Sequence, residues 1–577
     1  MKKSYLLLCF YFGAFVLHGQ QLSLPFESNP NRTVTYEEMH TFCKKLQRMF
    51  PEVHLDSIGM TDIGLPLHYL VISDKPNTNR AKALKEGKAI VWINNGIHPG
   101  EPEGIDASLA LMRDILQDDE KRKLLKKMVI VLVPSYNIDG MLNRNSHSRA
   151  NQNGPDSYGF RGNARNLDLN RDFAKADSRN THAFYALYQQ WLPHIFLDNH
   201  TSNGADYQHT MTLLQSLPDK LGFPLQDFME HVLVPKLYQK MEEANWPMCP
   251  YVVTKGQDPS EGIYAYIDSP RYSSGYAAMW GAIPLLTETH MLKPFIDRLQ
   301  SNYVLMDELL KTCYEHSAAL ISFQEAWFTL QQSADSFEYH WQIDAEKADT
   351  IRFLGYEREM IPGKISGKPI GKYNRSKPYE KQVPHYKYSK PSKKVPVPDR
   401  FIIPHAWSEV IERLALNNIQ FDTLKKDEKH TVKAYRISDF KTLQYPYEGH
   451  YLHYEIQMEE IVLDKQFRKG DISISTAQPG VKYLMEVLTP DAGDSFFAWN
   501  FFDAILMAKE GFSDYVFDDL AAEILDNDPE LMKKFEAKKT EDKAFEADAR
   551  AQLRYIYEAS PYFERNKNIV PIFSVLN

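Results

Sequence analysis

The chain is poor in cysteine, with four in 577 residues. Cys9 falls within the N-terminal apolar stretch, leaving Cys43, Cys249 and Cys313 as an odd set, so a disulfide framework does not hold this fold together. Glycine is scarce, 27 residues against 33 prolines, which excludes collagen-like and glycine-rich low-complexity architectures. Positive charge is in deficit: the formal net charge of −9 leaves no overall attraction to nucleic acid. Beyond the N-terminus no apolar run is long and uncharged enough to span a bilayer, so no transmembrane segment is expected. Internal repeats are absent. What remains is an ordinary globular composition, 43% hydrophobic and 25% charged, in a chain long enough for a large core.

Residues 1–20 read as a secretory signal peptide, with Lys2 and Lys3 ahead of a short apolar region at 4–17. The expected location after cleavage is periplasmic or extracellular. Further on, apolar spacing predicts a helix at 36–49, a strand pair at 53–60 and 66–73, and strands at 89–94 and 128–134 around a helix at 105–127. More strands are expected at 195–199, 211–215, 251–254 and 283–288, with helices at 224–244 and from 293 to about 330. Alternating β and α segments indicate an α/β fold with a sheet covered on both faces. Residues 143–165 form a long polar loop, of the kind that is usually functional inside a compact domain. Residues 363–400 hold six prolines and ten basic residues before Arg400, and read as an extended basic linker able to touch an anionic cell-envelope polymer. Residues 401–577 read as a second, α+β domain without legible chemistry.

The chemistry lies in the first half. His98-Pro99-Gly100-Glu101 leaves a strand end with an imidazole and a carboxylate three positions apart, a spacing suited to zinc, which binds neutral imidazole and carboxylate oxygen. Arg161 to Phe173 sets several guanidinium and amide groups along one loop, as recognition of an anionic group requires. Two further expected strands end in His200 and Glu288. Open α/β sheets build their sites at the carboxyl ends of strands, which would bring these distant groups together.

Taken in order, GIHPGEPEG (96–104), NIDG (137–140), NLDLNRDF (166–173), the strand ending at His200 and LLTET (285–289) resemble the carboxypeptidase A family of zinc metallocarboxypeptidases, over roughly residues 35–325. The resemblance implies a mixed sheet of about eight strands flanked by helices, in a catalytic domain covering 35–330. It implies one zinc ion per chain held by His98, Glu101 and His200, with Glu288 as the catalytic carboxylate and Arg161 polarising the carbonyl. Asn170 and Arg171 would clamp a peptide's terminal carboxylate.

Gly100 stands where pancreatic-type enzymes carry an arginine, so one substrate-binding cation is missing. Arg271 is the expected replacement for that cation near the substrate, with a plain surface position as the alternative, and Tyr272 is the expected counterpart of the family's mobile tyrosine, the most site-like of Tyr264, Tyr266, Tyr272 and Tyr276. The expected activity is removal of C-terminal residues from peptides. The sequence leaves open a zinc hydrolase of peptidoglycan stem peptides or N-acyl amino acids, and an inactive envelope-binding protein on the same fold.

Overall fold

The computed structural model describes residues 22–576; the signal-peptide reading lies outside them. Helix α1 (Tyr36–Met49) opens on a capping box in which Thr35 accepts from the Glu38 amide and Glu38 answers Thr35, an arrangement contributing about 1 kcal/mol. The central sheet comprises β1 (Val53–Ile58), β2 (Leu67–Ile72), β3 (Ala89–Asn94), β4 (Met128–Val133), β5 (Ile195–Ser202), β6 (Met211–Gln215), β7 (Cys249–Pro250) and β8 (Ile283–His290). Its eight strands run in the order β1-β2-β4-β3-β5-β8-β6-β7. β3 pairs parallel with β4 and β5, as β5 does with β8, while β1-β2, β2-β4 and β6-β8 are antiparallel. This is the mixed, helix-flanked sheet of eight strands that the resemblance implies.

The continuous apolar runs AIVWIN and MVIVLV follow from burial on both faces. From β3, Val91 and Ile93 enter the core shared with helices α2 (Glu103–Gln117) and α4 (Phe295–Glu315), whereas Ile90 and Trp92 face helix α3 (Arg179–Trp191). The second core continues without a break into the C-terminal region through Tyr483, Leu484 and Trp499. Trp280 stacks on Tyr483 at 5.8 Å, and the Tyr276 hydroxyl donates to Asn417.

Several expected boundaries move. The helix expected at 105–127 ends at Asp118, whose carboxylate caps the next turn by accepting from Glu120 and Lys121. The helix expected from 293 to about 330 breaks at His316 into Phe295–Glu315 and Ser317–Gln332.

The expected extended linker at 363–400 is a correction. Its residues are paired strands: β9 (Asp349–Pro362) and β10 (Pro369–Tyr386) form a long antiparallel ribbon, and Ser389–Pro396 pairs with Ser336–Ile343. Prolines and lysines occupy outward positions, while Val383 turns inward onto a cluster with Phe353 and Tyr207. Acids partner many of the basic groups, including Arg375 with Asp206, Lys387 with Glu230 and Lys393 with Asp491. Among the described residues no helix is long and apolar enough to cross a membrane.

Candidate active site and metal centre

The site lies along the carboxyl ends of β3, β5 and β8. After β3 the chain turns at Gly96, whose φ of +63° and close approach to Ser135 suit a residue without Cβ. That turn delivers His98 and Glu101 to the mouth of β5, where His200 stands. Ligand atoms of His98, Glu101 and His200, all buried, lie within 4.8 Å of one another. Glu288 is the parallel-register partner of His200 across β5-β8, so both side chains leave the sheet on the same side.

Each imidazole is fixed from behind. His98 Nε2 lies 2.9 Å from Asp168 Oδ1, and His200 Nε2 lies 2.9 Å from Asp198 Oδ2, which also accepts from Ser273 Oγ at 2.6 Å. The two Nδ1 atoms therefore face the Glu101 carboxylate, at 3.4 Å from His98 and 3.2 Å from His200. His98 Nδ1 is buried with no hydrogen-bond partner. Burial alone would depress the His200 pKa, but Asp198 and Glu101 drive it well above the usual value. Burial likewise works against the Glu101 anion, yet Arg149 and the two imidazoles hold its pKa well below the carboxylate range. An orphaned imidazole nitrogen, a second imidazole and a carboxylate, converging where the field favours positive charge, fit a zinc ion.

Glu288 differs from Glu101. Among the described residues no hydrogen bond holds its carboxylate, which faces the cleft, and burial together with the nearby Glu101 pushes its pKa up to about 8 against the opposing pull of His200, Arg161 and Arg149. Arg161 is anchored through Nε to Asp168 Oδ2 at 2.9 Å, with NH1 3.6 Å from Glu101. Asn170 Oδ1 accepts the Ser273 amide at 2.9 Å, and the Arg171 guanidinium lies 4.8 Å over the Tyr272 ring. These groups line one cleft of about 570 Å³, whose apolar floor includes Leu214 and Leu286.

Arg271 is a correction: it is not in the cleft wall. Its Nε pairs with Asp494 at 2.8 Å and NH2 donates to the Gly493 carbonyl, so the C-terminal region holds the guanidinium. Besides Arg161, the cation beside the His98-Glu101-His200 cluster is Arg149, from the long polar loop, with NH1 2.8 Å from Glu101 Oε1. A Cβ at position 100 would come within 2.8 Å of Arg149 Cδ, so Gly100 is what admits it. Besides Tyr272, the rings of Tyr266 and Tyr251 line the cleft, whereas Tyr276 is buried against Tyr185 and Tyr264 packs at a tilt against Tyr386. Sequence reading missed Arg149, Asp198 and Tyr251; Asp168 lay inside a quoted motif without an assigned role.

Residues 39–278 match the family model described as zinc carboxypeptidase. Over this stretch, less than half of the chain, the protein is similar to zinc carboxypeptidases. Among curated proteins, Carboxypeptidase 2 of Trichophyton rubrum is 22% identical over 490 residues, 81% of this chain and 84% of its own. Carboxypeptidase SOL1 of Arabidopsis thaliana is 29% identical over 158 residues, 26% of each chain. The crystal structure of a metallo-carboxypeptidase from Burkholderia cenocepacia aligns with 48% of this chain and 69% of its own, at 18% identity and a TM-score of 0.37. Glu288 lies beyond the matched stretch.

Proposed function

We propose that this protein is a secreted zinc carboxypeptidase that removes C-terminal residues from peptides. The observation carrying this reading is the juxtaposition of the His98-Glu101-His200 cluster with an unpaired Glu288 carboxylate and the Asn170-Arg171 pair in a single cleft. His98, His200 and Glu101 would hold the zinc ion. When bound, zinc supplies Lewis acidity toward a water and a substrate carbonyl. In its ionised form Glu288, held by no hydrogen bond among the described residues, takes a proton from the attacking water and returns it to the leaving amine. Arg161, fixed by Asp168, offers its guanidinium to the developing oxyanion. Asn170 and Arg171 bind the terminal carboxylate, so that only the last peptide bond reaches the reacting groups. Leu214, Leu286, Tyr251 and Tyr266 offer the last side chain an apolar and aromatic surface, which favours apolar C-terminal residues.

The test is mass spectrometry of a mixed peptide pool digested by the purified chain, with and without chelator. Ladders losing single C-terminal residues, abolished by chelator and restored by zinc, are expected. An intact pool in the presence of stoichiometrically bound zinc overturns the peptide reading and directs attention to peptidoglycan stem peptides and N-acyl amino acids.

A further inference from the structure

The C-terminal region reaches the candidate site through the tip of one hairpin. Strands β11 (Glu428–Thr442) and β12 (His453–Phe467) pair antiparallel, and the chain between them closes in a tight turn at 447–450, where Tyr447 and His450 exchange backbone hydrogen bonds at 2.7 and 3.1 Å. The two residues at the turn, Glu448 and Gly449, have φ of +51° and +85°. Glycine or asparagine would take the first of these with less strain than glutamate. The glutamate side chain has a specific partner: Glu448 Oε2 accepts the backbone N–H of Asp168 at 2.8 Å, across 280 positions of sequence. Beside it, His450 Nε2 lies 2.7 Å from Asp177 Oδ2, while Arg413 reaches the other oxygen of the same carboxylate at 3.2 Å.

Asp168 is the residue on which the site converges. Its Oδ1 holds His98 Nε2 and accepts the Asn170 amide at 2.9 Å, and its Oδ2 receives Arg161. Its position thus sets the orientation of one metal-facing imidazole, the oxyanion-facing guanidinium and the start of the Asn170-Arg171 turn. Its own amide would be an unsatisfied donor beside the cleft without Glu448.

We propose that Glu448 is a positioning residue of the active site, acting through the Asp168 amide, and that the C-terminal region thereby completes the catalytic unit. The kinetic part of this inference rests on the carboxypeptidase reading; the metal part does not. In the full chain, Glu448→Ala is expected to raise the zinc dissociation constant about threefold to tenfold in chelator competition, since outer-shell partners of metal ligands carry effects of that order or larger. It is also expected to lower kcat/KM about tenfold, mostly through KM. Glu448→Gln, which keeps an oxygen acceptor, is expected to recover both to within about threefold. His450→Ala, which loosens the same tip without touching Asp168, is expected to lower the melting temperature while leaving zinc affinity within about twofold. If Glu448→Ala fails to accumulate as folded protein, Glu448→Asp, one methylene short of the amide, takes its place. Wild-type zinc affinity in the shortened or truncated variant, or equal losses in it, Glu448→Gln and His450→Ala, would overturn the proposal. If the wild-type chain hydrolyses no peptide, the carboxypeptidase reading fails and the zinc measurements alone decide this one.

Discussion

The Arg149 guanidinium lies 2.8 Å from Glu101 Oε1, and its Cδ passes through space that a Cβ at Gly100 would occupy. The metal-facing carboxylate therefore has a cationic neighbour supplied by a loop rather than by the intervening residue of the His98–Glu101 pair. A Cβ at position 100 would also approach the Gly159 carbonyl oxygen to 3.1 Å, leaving backbone on that side and only Arg149 to yield.

Gly100→Ala is accordingly expected to displace Arg149 and lower kcat/KM severalfold, and Arg149→Ala to do the same. Combined, they should cost little more than either alone, because they remove one interaction. A double-mutant cycle on a single peptide substrate checks this; fully additive losses would show that the two positions act separately.

Glu288→Gln is expected to lower kcat by about a hundredfold to ten-thousandfold, the range for a general acid–base group, with zinc content unchanged. Metal analysis of the purified variant beside its kinetics is the check. Substantial residual activity would remove Glu288 from the proton transfer.

Ending the chain at residue 400 is expected to yield an aggregating protein. The core on one sheet face runs from Trp92 and Phe184 into Tyr483 and Trp499, so the truncation exposes a large apolar surface. It also strips Arg271 of Asp494 and Asp177 of Arg413 and His450. A monodisperse, cooperatively melting 22–400 fragment in light scattering and calorimetry would refute this.

Acid is expected to destabilise the fold through three buried histidines. His194, His209 and His290 each accept a backbone N–H, from Ile90, Leu354 and Leu292, and so must be neutral. Burial lowers their pKa values to about 3, 4 and 4. Between about pH 6.5 and 4 the unfolded chain binds these protons while the folded chain does not, so their contribution to stability is complete near pH 7 and falls on acidification. By pH 5 the loss is on the order of 2 kcal/mol per histidine. Urea midpoints between pH 7.5 and 5 measure it, and His209→Gln should flatten the slope by up to one proton; an unchanged slope would contradict the assignment.

The His98–Glu101 pair and the polar loop around Asn170 and Arg171 were legible because each is written in a short stretch, whereas His200 entered as a ligand only through the family resemblance. His98 and Glu101 share one turn, and Asn170 and Arg171 are neighbours. Apolar runs such as AIVWIN announce a strand buried on both faces wherever they occur. Residues 363–400 misled because proline and lysine density describes only the outward face of a ribbon, whereas its inward face is set by the partner strand Asp349–Pro362.

Residue types and local spacing thus already contained the His98–Glu101 pair, the alternation of α and β, and a loop rich in guanidinium and amide groups, since these depend on neighbours within a turn or a strand. Tertiary structure decided the rest. Register across β5-β8 puts Glu288 beside His200. The absence of a side chain at Gly100 lets a distant arginine reach Glu101, Asp494 draws Arg271 out of the cleft, and a hairpin tip brings Glu448 to Asp168. Each of these is a contact between residues far apart in the chain, and no periodicity records which of many carboxylates and guanidinium groups packing will place together.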